Sequence, residues 1–266
     1  MKSVKLPLSF AGCGRYSLGL LLSGCLAMSC GAQAPNNLPD APAPQTEVTI
    51  KDLPLNIVKD QKAIWTSPAK IRIKDLDWLL PLGAVTGLAV ATDRDAMLHV
   101  VPLDTQLNKR STDASNVLTG GLVAAPVALF GLGAMKDSPH AREAGLLGAE
   151  AMVDGLVVEQ GMKLIFWRER PAVDNAKGKF FQRSAGADGS FPSTHSVIAW
   201  SSAAVLADEY PSTLSRLLIY GAATGVSITR VVGQQHFPSD VIVGSAAGWL
   251  VGHYVFRHRH RADPDY

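Results

Sequence analysis

The sequence predicts an all-α fold, a compact bundle of about six helices. Three observations lead there. From Asp77 onward the chain runs in apolar segments longer than an ordinary strand, separated by short polar breaks. Those segments are rich in Gly, Ala and Leu on nearly every side, the composition of helices buried in a helical core or in lipid. Alternation of apolar and polar residues is absent, and the β-branched residues fall among Ala and Gly rather than in short runs. The 266 residues are 47% hydrophobic and 18% charged, enough for one large domain and too apolar for wholesale disorder. The 24 Gly follow no period and the 3 Cys are few, which excludes collagen-like and disulfide-scaffold chains.

Residues 1–34 read as an export signal. Lys2, Lys5 and Arg15 precede an apolar run centred on Leu18, Leu20, Leu21 and Leu22, and Ala32-Gln33-Ala34 supplies an A-x-A end. The run falls short of the roughly 20 residues that span a bilayer. Within it, Leu22-Ser23-Gly24-Cys25 resembles the lipobox of bacterial lipoproteins, which would make Cys25 a lipidated first residue. Cys13, Cys25 and Cys30 all lie in this region, so the folded part carries neither a disulfide nor a cysteine metal site.

Residues 35–75 read as a linker rich in proline (Pro35, Pro39, Pro42, Pro44) followed by an amphipathic peripheral arm. Residues 76–257 form the main domain, with helices expected over 76–91, 116–135, 141–168, 194–208, 212–231 and 238–256. Residues 258–266 are a basic and polar tail. Uncharged stretches cover 78–92, 116–135, 194–207 and 241–256, and only the second reaches comfortable spanning length. The reading leans to a helical domain outside the bilayer and tethered to it, with a polytopic protein of short helices as the alternative. The net charge of +2 is too small for a nucleic-acid binder, and from residue 35 onward 22 basic residues face 23 acidic ones. Cationic chemistry must come from local clusters.

Three segments supply such clusters. In KLIFWRERP (163–171) two helical turns would bring Lys163 and Arg170 to nearly one face, and Pro171 would end the helix there. Arg grips two oxygens of an anion while Lys offers a point charge. A plainer reading is a solvated helix end with Glu159 pairing Lys163. In FPSTHS (191–196), Ser193 is placed to begin a helix whose free N–H groups suit a phosphate, with His195 in the first turn beside it. In TRVVGQQHFPSD (229–240), His236 should lie just before a helix opened by Pro238, with Asp240 in its first turns. A carboxylate near one imidazole nitrogen fixes the tautomer and leaves the other nitrogen free to attack phosphorus. Arg230 adds a third cation. Each segment alone fits a bland structural role, but together they describe a cationic pocket for a tetrahedral oxyanion. No GxxxxGKS loop and no HExxH cluster is present.

K-x6-RP at 163–171, PSTH at 192–195 and TR-x5-H-x3-D at 229–240 resemble the three signature motifs of the type 2 phosphatidic acid phosphatase (PAP2) superfamily. That superfamily includes class A acid phosphatases, glucose-6-phosphatase and vanadium haloperoxidases. Thr194 stands where glycine is usual and Thr229 where serine is usual. The resemblance implies that Lys163, Arg170 and Arg230 bind the phosphoryl oxygens, with Ser193 and the amides near Thr194 completing the cradle. It implies His236 as nucleophile, Asp240 as its orienting acid, and His195 as acid and then base. No metal and no cofactor are expected. The implied activity is hydrolysis of a phosphomonoester or diphosphate, most readily a lipid phosphate, at a membrane surface on the periplasmic side of a bacterial envelope. A soluble-substrate acid phosphatase, a vanadate-dependent haloperoxidase and a non-catalytic membrane scaffold are the alternatives.

Other features read more plainly. Asp93 and Asp95 look like a loop after an apolar helix. Glu150 and Asp154 share a helix face as solvated or hydrogen-bonded acids. Residues 172–191 should hang over the pocket as a lid or substrate contact.

Overall fold

The computed structural model describes residues 49–260, which fall in one compact unit beginning at Gln45. The export signal with Cys25, the proline-rich linker and residues 261–266 of the tail lie outside the described residues. Among the described residues there are seven α-helices and no strand: α1 (Leu53–Thr66), α2 (Leu76–Asp95), α3 (Thr105–Met135), α4 (Pro139–Phe166), α5 (Thr194–Glu209), α6 (Thr213–Val232) and α7 (Pro238–Arg259).

The all-α reading holds, with one helix more than the six expected. The extra helix, α1, lies in the segment read as a peripheral arm. Pro54 sits in its first turn, where a missing N–H costs nothing. Helix α3 starts at Thr105 rather than 116, because the Asp104 carboxylate accepts the Leu107 N–H at 2.7 Å and caps it there. Its first turns carry Lys109, Arg110 and Asp113, which a search for uncharged stretches passes over.

Helix α5 explains why its sequence is apolar on all sides. Val197, Ala199, Ala203, Ala204, Val205 and Ala207 are fully buried. One cluster joins Ala199 and Ala203 to Leu122 of α3 and to Ala223 and Val226 of α6. A second joins Val205 to Leu147 and Ala151 of α4 and Val255 of α7. Helix α7 packs most extensively against α5. The reason is a stripe of small residues: a Cβ at Gly244 would stand 2.9 Å from the Ser193 carbonyl oxygen, and at Gly248 2.4 Å from that of Val197. At Gly252 it would stand 2.4 Å from the Ser201 carbonyl oxygen. This close approach sets the N-termini of α5 and α7 side by side, tied by the Ser193 N–H donating to the Asp240 carbonyl at 3.1 Å.

Helix α1 rests on α4 through polar groups. Gln61 donates to the Asp154 carboxylate at 2.8 Å, and the Trp65 ring lies over Gly161. Glu150 and Asp154 are therefore buried beside Asp60 and not solvated. Arg259 of α7 reaches Asp60 at 2.6 Å and Glu150 at 3.4 Å. Burial raises Glu150 to about 7 and Asp154 to about 6.

Candidate active site

Lys163 is 4% exposed, near the end of α4. The helix stops at Phe166, and Trp167 turns left-handed with φ 38°. Arg170 therefore lies outside the helix, and the face-sharing expected over two helical turns does not apply. It comes back by another route: its Nε donates to the Asp188 carbonyl at 3.0 Å and its Nη1 to the Gln235 carbonyl at 3.3 Å, beside His236.

Lys163 does pair with Glu159, at 2.9 Å, but in a buried setting rather than at a solvated helix end. Thr194 completes a triangle with them. Its hydroxyl accepts from the Lys163 ammonium at 3.0 Å and donates to Glu159 Oε1 at 2.5 Å. The threonine side chain is thus turned toward the lysine and held there.

Ser193 is the residue before α5, with a non-helical backbone and no side-chain cap bond. Its Oγ is buried without a hydrogen-bond partner. Arg230, 6% exposed, likewise keeps its Nε buried and without a partner, while its Nη1 donates to Ser115 Oγ at 3.3 Å. Burial, with Arg170 adding like charge, lowers Arg230 to about 10. Both the Ser193 hydroxyl and the Arg230 Nε–H can donate to an oxyanion.

His236 is 1% exposed, and its Nδ1 lies 2.8 Å from the Ser190 carbonyl oxygen. A carbonyl only accepts, so Nδ1 carries the hydrogen and Nε2 keeps its lone pair. Asp240 is four residues on, inside the first turn of α7 as expected, but its Oδ2 stands 3.6 Å from Nδ1. That oxygen accepts the Phe237 N–H at 2.9 Å instead. The tautomer is fixed by Ser190, and Asp240 adds its charge. Burial lowers the basicity of His236 against the opposing pull of Asp240.

His195, in the first turn of α5, has its Nε2 3.0 Å from Asn116 Oδ1 of α3. Burial first, then the charges of Arg230, His236, Arg170 and Lys163, lowers it to about 4. Groups of the first and third motifs thus all bear on the imidazole of the second.

The structure adds residues that sequence reasoning missed. Arg168, 2% exposed, donates through Nη1 to Asp240 Oδ1 at 2.6 Å and to Ser239 Oγ at 2.6 Å. Its Nη2 reaches Asp93 Oδ2 at 2.7 Å and its Nε the Gly178 carbonyl at 3.2 Å. The guanidinium is packed against the rings of Phe180 and Phe237, with centroids 4.6 and 4.1 Å away. Asp93 is not in a loop but in the last turn of α2, 2% exposed, and it also accepts from the Ser239 backbone at 3.0 Å and from its hydroxyl. Arg168 held signal as a charge within the first motif, and Asp93 as the acid ending an uncharged helix.

Residues 172–191 fold back on the strip after α4. The backbone N–H groups of Phe181, Gln182 and Ser190 donate to the carbonyls of Phe166, Trp167 and Arg168 at 2.8, 2.9 and 2.8 Å. Phe166, Phe180 and Phe191 stack edge to face beneath. Lys177 and Lys179 pair with Asp174 at 3.1 and 2.6 Å.

Residues 144–263 match the model of the PAP2 superfamily. This part of the chain holds all three motifs and belongs to that superfamily. The chain is also similar to a solved transmembrane PAP2-type phosphatidylglycerolphosphate phosphatase from Bacillus subtilis. The two are 20% identical, the match covers 79% of this chain and 96% of that one, and the TM-score is 0.45.

Proposed function

We propose that this protein is a phosphoric ester hydrolase that needs no metal at its reaction centre, takes a lipid phosphate, and works through a phosphohistidine. The observation that carries the reading is the convergence of Lys163, Arg170 and Arg230 on the His195 imidazole, with both arginines also bearing on His236 and an unpartnered Ser193 hydroxyl at the start of α5.

The phosphoryl oxygens meet Lys163, Arg170, Arg230, Ser193 and the first amides of α5, including that of Thr194. His236 attacks phosphorus through Nε2, forming the P–N bond as the ester P–O bond breaks. The leaving oxygen takes a proton from His195. A water then gives its proton to the same imidazole and attacks phosphorus, the P–N bond breaks, and inorganic phosphate leaves. Lowered to about 4 by burial and the surrounding cations, His195 is neutral at neutral pH in the free protein. A bound dianion offsets the surrounding cations and raises its basicity, so substrate itself brings the proton that the leaving group needs.

A lipid is favoured by the outer faces of the helices. Leu80, Leu88, Val117, Val127, Leu132 and Leu217 on α2, α3 and α6 are exposed, more apolar surface than a soluble monomer usually leaves bare. Helix α3 is long and apolar enough to cross a membrane. Export to the periplasmic side of the envelope, with the chain anchored there by a lipid on Cys25 or by its helices, fits that reading.

The test is phosphate release in the presence of chelator, from phosphatidate, a polyprenyl diphosphate and a small soluble ester. The expected result is release from a lipid substrate that His236→Ala abolishes. Release only from the soluble ester would replace the lipid assignment, and undiminished turnover by His236→Ala would overturn the mechanism.

A further inference from the structure

Helix α3 is long and apolar enough to cross a membrane, yet it carries one short polar face. Thr112, Ser115, Asn116 and Thr119 stand at positions i, i+3, i+4 and i+7, which share one side of a helix. Polar groups on so apolar a helix turn inward to partners. Here the partners belong to the phosphate site. A Cβ at Gly233, within the third motif, would stand 2.5 Å from Thr112 Oγ1. Ser115 is wholly buried; its hydroxyl donates to the Thr112 carbonyl at 2.7 Å and accepts from Arg230 Nη1 at 3.3 Å. Asn116 reaches the second motif from the same face, with its Oδ1 3.0 Å from His195 Nε2.

An amide oxygen only accepts, so the hydrogen of the neutral His195 ring sits on Nε2 and the lone pair on Nδ1. Among the other groups that bear on this imidazole, Lys163, Arg170 and Arg230 are cations with no acceptor to offer, and the fourth is His236. An amide also suits the place better than a carboxylate would. It orients the ring without adding the negative charge that would hold His195 as an imidazolium in the free protein.

We propose that Asn116 is the positioning residue for His195, holding the ring as its Nε2–H tautomer so that Nδ1 carries the proton to and from the reaction. The inference rests on the reading of His195 as acid and then base in the proposed hydrolysis. In that cycle Nδ1 gains a proton from water as the substrate dianion binds. It gives that proton to the leaving oxygen as the P–O bond breaks, and takes one from the attacking water as the P–N bond breaks. Nε2 stays bonded to Asn116 throughout. The PAP2 match begins at residue 144, so α3 lies outside it. The role of Asn116 comes from the packing of α3 against α5 and α6.

The first readout needs no substrate. The full chain, isotope-labelled in its histidine rings, is followed by nitrogen NMR at neutral pH, with His195→Gln identifying the His195 signals. The unsubstituted chain should carry the ring hydrogen on Nε2. Asn116→Leu removes the acceptor and should shift the ring toward the Nδ1–H tautomer, whereas Asn116→Asp keeps an acceptor in place and should keep Nε2–H. Asn116 is exposed, so both variants should melt with the unsubstituted chain, whose own signal stands in any case. With a lipid phosphate as substrate, Asn116→Leu should lower kcat by about 100-fold while KM changes little, and Asn116→Asp should restore it to within about 10-fold. A ring hydrogen on Nδ1 in the unsubstituted chain, full kcat in Asn116→Leu, or equal losses in the two variants would each overturn the assignment. An unsubstituted chain that releases no phosphate from any substrate would instead overturn the hydrolase reading, and the tautomer would still decide whether Asn116 holds the ring.

Discussion

At the residue scale, His236, the proposed nucleophile, is held by a chain of buried partners. Ser190 fixes its tautomer at 2.8 Å, and Asp240 is gripped by Arg168, which is gripped in turn by Asp93. Removing one partner from a buried ion network leaves the others uncompensated. Asp93→Asn should therefore cost roughly 3 kcal/mol of stability and let Asp240 and Ser190 shift. Small misplacements of a reacting group are expensive, so kcat should fall by about 10- to 100-fold while KM changes little. Steady-state kinetics beside a thermal melt checks both. A rise in KM at unchanged kcat would contradict the positioning role.

His195 gives a second residue-scale prediction. Burial and the surrounding cations lower it to about 4 in the folded protein, against about 6.5 in the unfolded chain. The unfolded state then binds more protons across that window, so stability falls as pH drops from about 6.5 toward 4. Vanadate, which fills the pocket with negative charge, should reverse the shift. Histidine NMR titration is the check: His195 should stay neutral at pH 5 in the free protein and be protonated at pH 6 with vanadate bound. Titration near 6.5 without ligand would contradict the cationic pocket.

At the scale of elements, the site exists because α5 and α7 approach closely enough to align their N-termini. Gly248→Ala places a methyl 2.4 Å from the Val197 carbonyl oxygen and 3.0 Å from Trp200 Cβ. The helices must separate, at a cost of about 1–3 kcal/mol, with loss of activity. Gly221→Ala on α6, where nothing lies within 4 Å, should be neutral or slightly stabilising. Equal melting temperatures for the two variants would show that the stripe does not set the packing. The helix start at Pro238 was readable because proline geometry is local; Ser193 does precede α5, though its hydroxyl makes no cap bond. Arg170 was misplaced on a shared helix face because the turn at Trp167 depends on the loop that packs beneath it. Asn116 and Asp93 were not readable as site neighbours, since only the packing of α3 and α2 brings them to His195 and Arg168.

At the scale of the whole molecule, the sequence pattern and the structure agree on an all-α fold over the described residues, and the structure adds a set of charges buried within it. Lys163, Arg168, Arg230, Glu159, Asp93 and Asp240 are buried, while large apolar side chains of α2, α3 and α6 face outward. Both features suit the proposed hydrolysis of a lipid phosphate, with anion-binding charge shielded from water and a surface compatible with acyl chains. The apolar composition was visible in the sequence. Which faces remain uncovered was not, because Gly, Ala and Leu on every side of a helix fit protein and lipid equally well.

The most direct test of the account is to trap the intermediate. Enzyme mixed with a phosphatidate labelled in its phosphate, stopped with alkali within a turnover, should carry label that is stable to base and released by acid, as a phosphohistidine is. Peptide mapping should place it on His236. Label on another residue, or turnover with no labelled protein at any time point, would contradict the mechanism.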